Sequence, residues 1–163
     1  MKQVVQRIKI IINMKGVIIM ITREYASEVV LSKEELEDIK RAQWEIRYKG
    51  LQNTNESALT RALQAFTSIL SFFNIPYAAS LANTVVSAIL SEPSMKDELI
   101  SLSRSGEDYL QDLIYAMDDH PEWLLVKVKL PFVDVEYNNK TFRLVAGRGA
   151  IIAVKVKEGW ITG

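Results

Sequence analysis

A single histidine lies among three carboxylates in the segment DDHPEW, where His120 follows Asp118 and Asp119 and precedes Glu122. An imidazole beside carboxylates can bind a divalent metal or act as a general base. The same segment falls where an acidic helix is predicted to end, and a histidine there interacts favourably with the helix C-terminus while the carboxylates face water. We favour the helix-end interpretation and keep these four residues as weak candidates for a metal site.

A second motif, AGRGA at 146–150, places Arg148 between two glycines. Backbone amides and a guanidinium together can bind a phosphate, but a phosphate-binding loop is followed by a helix, and the residues after this motif alternate like a strand. We therefore predict a hairpin turn. The chain has no cysteine, which excludes disulfides and thiolate catalysis, and its serines match no nucleophile motif. The sequence predicts no catalytic residue and no cofactor.

The formal charge is zero, but the charges are unevenly placed. Residues 1–61 carry eleven basic and eight acidic groups, residues 90–120 carry two and eight, and residues 121–163 carry seven and four. This distribution favours association between segments over a dedicated nucleic-acid surface. The C-terminal basic residues are predicted to share a solvated sheet face with Asp134 and Glu136, opposite the valines. They form the candidate interaction surface, for a protein partner or alternatively a phosphate or nucleic acid: Lys127, Lys129, Arg143, Arg148, Lys155 and Lys157.

Periodicity predicts four helices between residues 32 and 119. The first, at 32–49, opens with Ser32 and Glu35 in capping-box spacing and closes at Gly50. The second runs from about Glu56 to Phe73, the third from Tyr77 to Leu90, and the fourth over 94–119, with Gly106 weakening its centre. The chain's three tryptophans fall within or beside predicted elements, so we interpret them as packing residues: Trp44, Trp123 and Trp160.

After Pro121 the period changes to two, which predicts an antiparallel meander of about four strands over 121–163. The predicted strands are WLLVKVKL, PFVDVEY, TFRLV and AIIAVKVKEGWIT. The expected fold class is α+β, with an N-terminal bundle of about four helices over 20–120 followed by this small sheet packed on the helices.

The segment 62–91 has thirty residues and no charge, although a quarter of the chain is charged. Asn74 and Pro76 divide it into two helices that are short for membrane spans. A buried helical hairpin at 56–91 is therefore favoured, with a membrane-inserting hairpin over 58–91 as the alternative. Its apolar pattern is similar to the first helices of three-domain insecticidal crystal toxins, but we assign no family from it. The candidate membrane element comprises Phe66, Ile69, Leu70, Phe72, Phe73, Ile75, Leu81, Val85, Val86 and Ile89.

The N-terminal segment is basic and apolar, but Lys9 and Lys15 interrupt it before it reaches the length of a signal core. Residues 15–20 resemble a translated bacterial ribosome-binding sequence and spacer, so we expect the native protein to begin at Met20. Residues 1–19 would then be a translated leader. The alternative is a genuine first element with an apolar helical face formed by Val4, Ile8, Ile11 and Ile12.

The absence of converging polar groups leads us to expect a small non-enzymatic protein that binds another protein, of regulator or inhibitor type. The binding surface would be the charged sheet face or helix 32–49. The motif-poor chain and the suspected leader suggest a bacterial phage or mobile element and a cytoplasmic location. The alternatives are a membrane-active protein at the membrane surface and a weak nucleic-acid or phosphate-binding module.

Overall fold

The computed structural model describes residues 4–13, 16–69, 83–137 and 140–163. Strands come first and last in the chain, and the helices lie between them. The elements are β1 (Val5–Asn13), β2 (Gly16–Leu31), α1 (Lys33–Trp44), a π-helix (Glu45–Gln52), α2 (Glu56–Ile69), α3 (Asn83–Ser91), α4 (Pro93–Asp119), β3 (Leu125–Tyr137), β4 (Lys140–Val145), β5 (Ala150–Val156) and β6 (Gly159–Thr162).

The prediction of an α+β fold with an N-terminal helical bundle is wrong in its arrangement, because the chain opens with two strands. β1 and β2 form an antiparallel hairpin, and β2 also pairs with β3 along its C-terminal part. Residues 5–13 are therefore a strand and present no helical face, and residues 20–31 belong to the sheet. The run of isoleucine and valine in both strands suits a pleated surface, and pairing with β3 holds β2 in the sheet.

The sheet is antiparallel, with strand order β1-β2-β3-β5-β6 and with β4 also paired to β3. The predicted strands WLLVKVKL and PFVDVEY are one continuous strand, β3, so the predicted break at Pro131 is wrong. β4 pairs with β3 from Phe132 onwards, and β5 pairs with it up to Lys129. Pro131, which has no N–H to give to a ladder, lies at the junction between these two neighbours, and its carbonyl accepts a hydrogen bond from Ala146 at 2.9 Å.

The helices α1 and α4 lie side by side and antiparallel. Lys33, at the start of α1, pairs with Asp118 at the end of α4, while Arg47, just past the end of α1, pairs with Glu107 in the middle of α4. The predicted capping box is confirmed: the Ser32 hydroxyl accepts from the N–H of Glu35 at 3.2 Å, and the Glu35 carboxylate accepts from the N–H of Ser32 at 2.9 Å.

Gly50 does not end the first helix as predicted. The α-helix stops at Trp44 and the chain continues as a π-helix to Gln52, with Gly50 inside it and buried. A Cβ atom on Gly50 would lie 2.7 Å from Cβ of Leu59, so the missing side chain lets the π-helix approach α2 closely. Gly106 has a similar role in α4, which runs through it without a break.

The uncharged segment is described at its two ends only. α2 stops at Ile69 and α3 starts at Asn83, so the predicted boundaries at Phe73 and Tyr77 lie outside the described residues. Leu63, Phe66, Val86 and Ile89 are buried in the same core as the sheet. Within the described ranges, no helix is long and apolar enough to cross a membrane.

Candidate functional site

Two exposed aromatic rings stand at the junction of α1 and the π-helix. Trp44 is 38 % exposed and Tyr48 is 47 % exposed, and their rings stack with centroids 5.1 Å apart. The ammonium of Lys49 lies 5.8 Å from the centre of the Trp44 ring, within range of a cation–π interaction. We call Trp44 and Tyr48 the aromatic pair. It presents a large apolar surface with a polar edge to solvent.

A groove of 460 Å³ adjoins the aromatic pair, between α1 and α4. Lys40 donates a hydrogen bond to the side-chain oxygen of Gln111 across it, which ties the two helices together. The groove carries both signs of charge and one branched apolar side chain in addition to the tryptophan. Its lining residues are Glu37, Lys40, Arg41, Trp44, Gln111 and Ile114.

The inner side of the π-helix is anchored by a largely buried ion pair. The guanidinium of Arg47 donates to both carboxylate oxygens of Glu107, at 2.6 and 3.0 Å, and the hydroxyl of Ser103 donates to the same carboxylate at 3.2 Å. The hydrogen bond that Arg47 donates to Glu107 raises the pKa of Arg47 above its ordinary value, so the guanidinium stays charged. The bidentate ion pair fixes the position of Arg47 in the π-helix. Tyr48 is the next residue, and its side chain lies on the exposed side of the same turn.

The residues of the candidate metal site are not brought together into a binding site. His120 caps α4, its ring stacks on Trp123 at 4.3 Å, and its Nδ1 lies 3.2 Å from a carboxylate oxygen of Glu122. A hydrogen bond from the backbone of Glu122 itself lowers the pKa of the Glu122 carboxyl, and the contact with His120 lowers it further. Asp118 pairs with Lys33 instead. Across the described ranges no group of three or more metal-ligating side chains occurs.

Asp134 and Arg143 do not lie on the solvated face that the alternation predicted. Because β3 is one strand, Asp134 lies six residues from Val128 and shares its face. Asp134 and Arg143 are buried, and the Arg143 guanidinium donates to both Asp134 carboxylate oxygens at 2.8 Å. The expectation of a solvated pair there is wrong, because the strand carries this face into the core.

Three of the other basic residues share the outer face of the sheet. Lys127 and Lys129 alternate with the buried valines of β3, and Lys155 of β5 pairs with Leu125 on the same side. Lys127 lies 3.8 Å from Glu28, and Lys129 is exposed. Lys155 faces the Trp160 ring at 5.9 Å, and Lys157 is exposed in the turn before β6. Arg148 lies beside a cleft of 390 Å³, 3.2 Å from Asp112 and 5.6 Å from the centre of the Tyr109 ring.

The candidate membrane element is partly described. Phe66, Val86 and Ile89 are buried, with at most 1 % of each residue exposed. The side chains of Ile69 and Val85 are not described, and five further candidates lie outside the described residues: Leu70, Phe72, Phe73, Ile75 and Leu81. The described members therefore contribute to the protein core.

Sequence reasoning missed the aromatic pair by treating Trp44 as a packing residue. The buried stripe of α1 contains Leu36 and Ile39 and continues to Ile46 in the π-helix. Trp44 falls away from this stripe at a helical period of 3.6, so its exposure follows from the same spacing that identified the helix. Trp160 is likewise exposed, at 45 %, whereas Trp123 packs against the core.

Comparison with known proteins gives no match: no protein-family model, no curated protein and no solved structure is similar to this chain.

Proposed function

We propose that this chain is a non-enzymatic protein-binding module whose partner docks on the aromatic pair and the adjoining groove between α1 and α4. The observation that carries the proposal is the exposed stack of Trp44 on Tyr48. Tryptophan, tyrosine and arginine supply a large share of binding energy at protein interfaces, because each buries much surface and retains a polar group.

The local packing supports this assignment. The ring stack and the buried Arg47–Glu107 pair fix the geometry before a partner arrives, so little side-chain freedom is lost on binding. A π-helix is rare and is found frequently at functional sites. Glu37, Lys40 and Arg41 give the groove a mixed rim, which suits an uncharged or mixed-charge segment with an apolar side chain at its centre.

The chain offers a closely matched control for testing this surface. Trp160 on β6 is exposed to a similar degree, and a lysine lies 5.9 Å from its ring, as Lys49 lies 5.8 Å from Trp44. A photo-crosslinking phenylalanine analogue is placed at position 44 or at position 160, and the natural host cells are irradiated. We expect a distinct adduct from position 44 that unlabelled wild-type protein suppresses, and none from position 160.

The captured partner is then purified and its affinity measured directly. Trp44→Ala is expected to weaken binding by about 2 kcal/mol or more, roughly thirtyfold, as at interface hot spots. Trp160→Ala should leave the affinity within about threefold of wild type. Equal losses in the two variants, or identical adducts from both positions, would refute the assignment of the α1 surface.

A further inference from the structure

The hairpin of β1 and β2 carries an aliphatic face that is exposed to solvent. Side chains of directly paired residues lie on the same side of an antiparallel pair. The register pairs Ile8 with Ile21, Ile10 with Ile19, and Ile12 with Val17. We call the five most exposed of these residues the hairpin face: Ile8 (65 %), Ile10 (61 %), Ile12 (78 %), Val17 (64 %) and Ile19 (53 %).

The hairpin face occupies one side of the hairpin, and on the other side Val5 is 44 % exposed. Met20 points to the opposite side of β2 and is completely buried. The register of β2 is unbroken from Gly16 to Leu31, so the hairpin face lies on the side of the sheet that also carries Val29 and Leu31. Those two residues are buried in the core. The hairpin face and the core residues thus lie on the same side of the sheet, and the hairpin face is a part of that side that is exposed to solvent.

The apolar area of the hairpin face is large enough for a small interface between two copies of the chain. The exposed fractions correspond to roughly 500 Å² of apolar surface, near the upper end for the largest patch on a monomer. Two such faces in contact would remove on the order of 1,000 Å² from water, which reaches the lower limit for a specific interface. The described part of one chain leaves this surface in water.

The composition of the hairpin face also fits a copy of itself. All five members are β-branched aliphatic residues, and two sheet faces of this kind can pack against each other as in a β-sandwich. None is an aromatic residue of the kind that anchors proteins at a membrane interface. A surface of uniform chemistry on both sides of a twofold axis is self-complementary.

We propose that the hairpin face is a self-association surface, through which two copies of this chain pack hairpin face against hairpin face around a twofold axis. This proposal takes residues 1–19 as a genuine first element of the protein, the alternative to a translated leader. It does not depend on the function assigned to the aromatic pair, since the two surfaces share no residue.

The mass of the full 163-residue chain in solution tests the proposal. Sedimentation equilibrium of the wild type should give twice the chain mass of 18.5 kDa at micromolar concentrations. Ile19→Lys would place a charge in the apolar interface and should weaken association roughly a hundredfold or more. Ile161→Lys is the control, because Ile161 is 54 % exposed on β6 at the other edge of the sheet. It should leave the dimer intact.

A second measurement keeps the test independent of folding defects. The chain has no cysteine, so Ile10→Cys or Ile161→Cys introduces one unique site for a pyrene label. Excimer emission is expected from the label at position 10 and not at position 161. A wild-type monomer at every concentration tested, or a dimer that Ile19→Lys leaves unchanged, would overturn the proposal. Flotation of a monomeric wild type with liposomes would overturn it in favour of a lipid surface.

Discussion

The side chain of Gln43 closes a pair of hydrogen bonds on the backbone of Val145. Its amide nitrogen donates to the Val145 carbonyl at 2.7 Å, and its amide oxygen accepts from the Val145 N–H at 2.9 Å. The same amide nitrogen donates to the carbonyl of Ser103 at 3.1 Å, and Gln43 is completely buried. One residue of α1 therefore holds the end of β4 against α4.

Gln43→Ala should destabilise the protein strongly, because it leaves the buried N–H and carbonyl of Val145 without their side-chain partner. We expect the free energy of unfolding to fall by about 2–4 kcal/mol, from the unsatisfied groups and the cavity together. Urea unfolding followed by far-UV circular dichroism measures this. The control is Gln52→Ala: Gln52 is exposed and its side chain bonds Arg47 at 2.6 Å. It should change stability by less than about 1 kcal/mol.

Gly106→Ala tests the close approach of α4 to β4. A Cβ atom there would lie 2.0 Å from the Val145 carbonyl oxygen and 2.8 Å from the amide nitrogen of Gln43. In an exposed helix interior the same change stabilises by about 1 kcal/mol. Here we expect a loss of stability, with the thermal midpoint falling by several degrees. A midpoint equal to or above that of the wild type would show that the helix does not pass this close to β4.

The buried pair of Asp134 and Arg143 predicts a large difference between single and double substitutions. Arg143→Met leaves the Asp134 carboxylate buried without its bidentate partner and should lower the free energy of unfolding by about 3–5 kcal/mol. Asp134→Leu combined with Arg143→Met removes both charges and should recover much of that loss. Unfolding curves of the two variants give the comparison, and a double variant at least as unstable as Arg143→Met would contradict it.

Ile89→Ala separates a core role from a membrane role for the uncharged segment. Ile89 is completely buried, so the substitution should lower the free energy of unfolding by about 2–4 kcal/mol. A residue that acts only after insertion into lipid would leave unfolding in water unchanged and reduce liposome flotation instead. Unfolding in urea and flotation with anionic and neutral liposomes are measured on the same variant, with the exposed Tyr115→Ala as the control.

Local signals in the sequence predicted the helices better than the sheet. Ser32 and Glu35 identified the start of α1 because a capping box is made entirely within four residues. Pro131 led to the wrong prediction of a break between two strands. It fits inside β3 because the neighbouring strands β4 and β5 meet beside it. A proline at a gap between neighbours interrupts no ladder, and no single-strand pattern reveals that gap.

The contacts that hold α1 and the π-helix in place are remote in sequence and leave no local pattern. Gln43 and Val145 are separated by 102 residues, and Arg47 and Glu107 by 60. The exposure of Trp44 could be predicted from helical spacing alone, and its position four residues before Tyr48 puts the two rings on one helical face. A π-helix has no sequence signature in this chain, because Gly50 reads equally well as a residue that ends an α-helix.

Tyr25 should make the stability of the protein sensitive to alkaline pH. Its hydroxyl donates to Asp134 at 3.1 Å. Burial disfavours the phenolate, and the Asp134 carboxylate adds to the effect, so the pKa of Tyr25 is raised well above its ordinary value of 10.0. Above pH 10 the unfolded chain loses this proton and the folded chain keeps it. Stability contributed by Tyr25 is therefore complete below pH 10 and falls as the pH rises beyond it.

The expected slope from Tyr25 is about 1.4 kcal/mol per pH unit above pH 10, because one proton is bound by the folded state alone. Tyr25→Phe should be less stable at pH 8 through loss of the hydrogen bond to Asp134, and should lose less stability than the wild type between pH 10 and 11.5. Burial also raises the pKa of Tyr109, so part of the slope remains in this variant. Urea unfolding across this range measures both effects, with the exposed Tyr115→Phe as the control expected to follow the wild type. Parallel stability curves for Tyr25→Phe and the wild type above pH 10 would show that the Tyr25 hydroxyl is not held protonated in the folded protein.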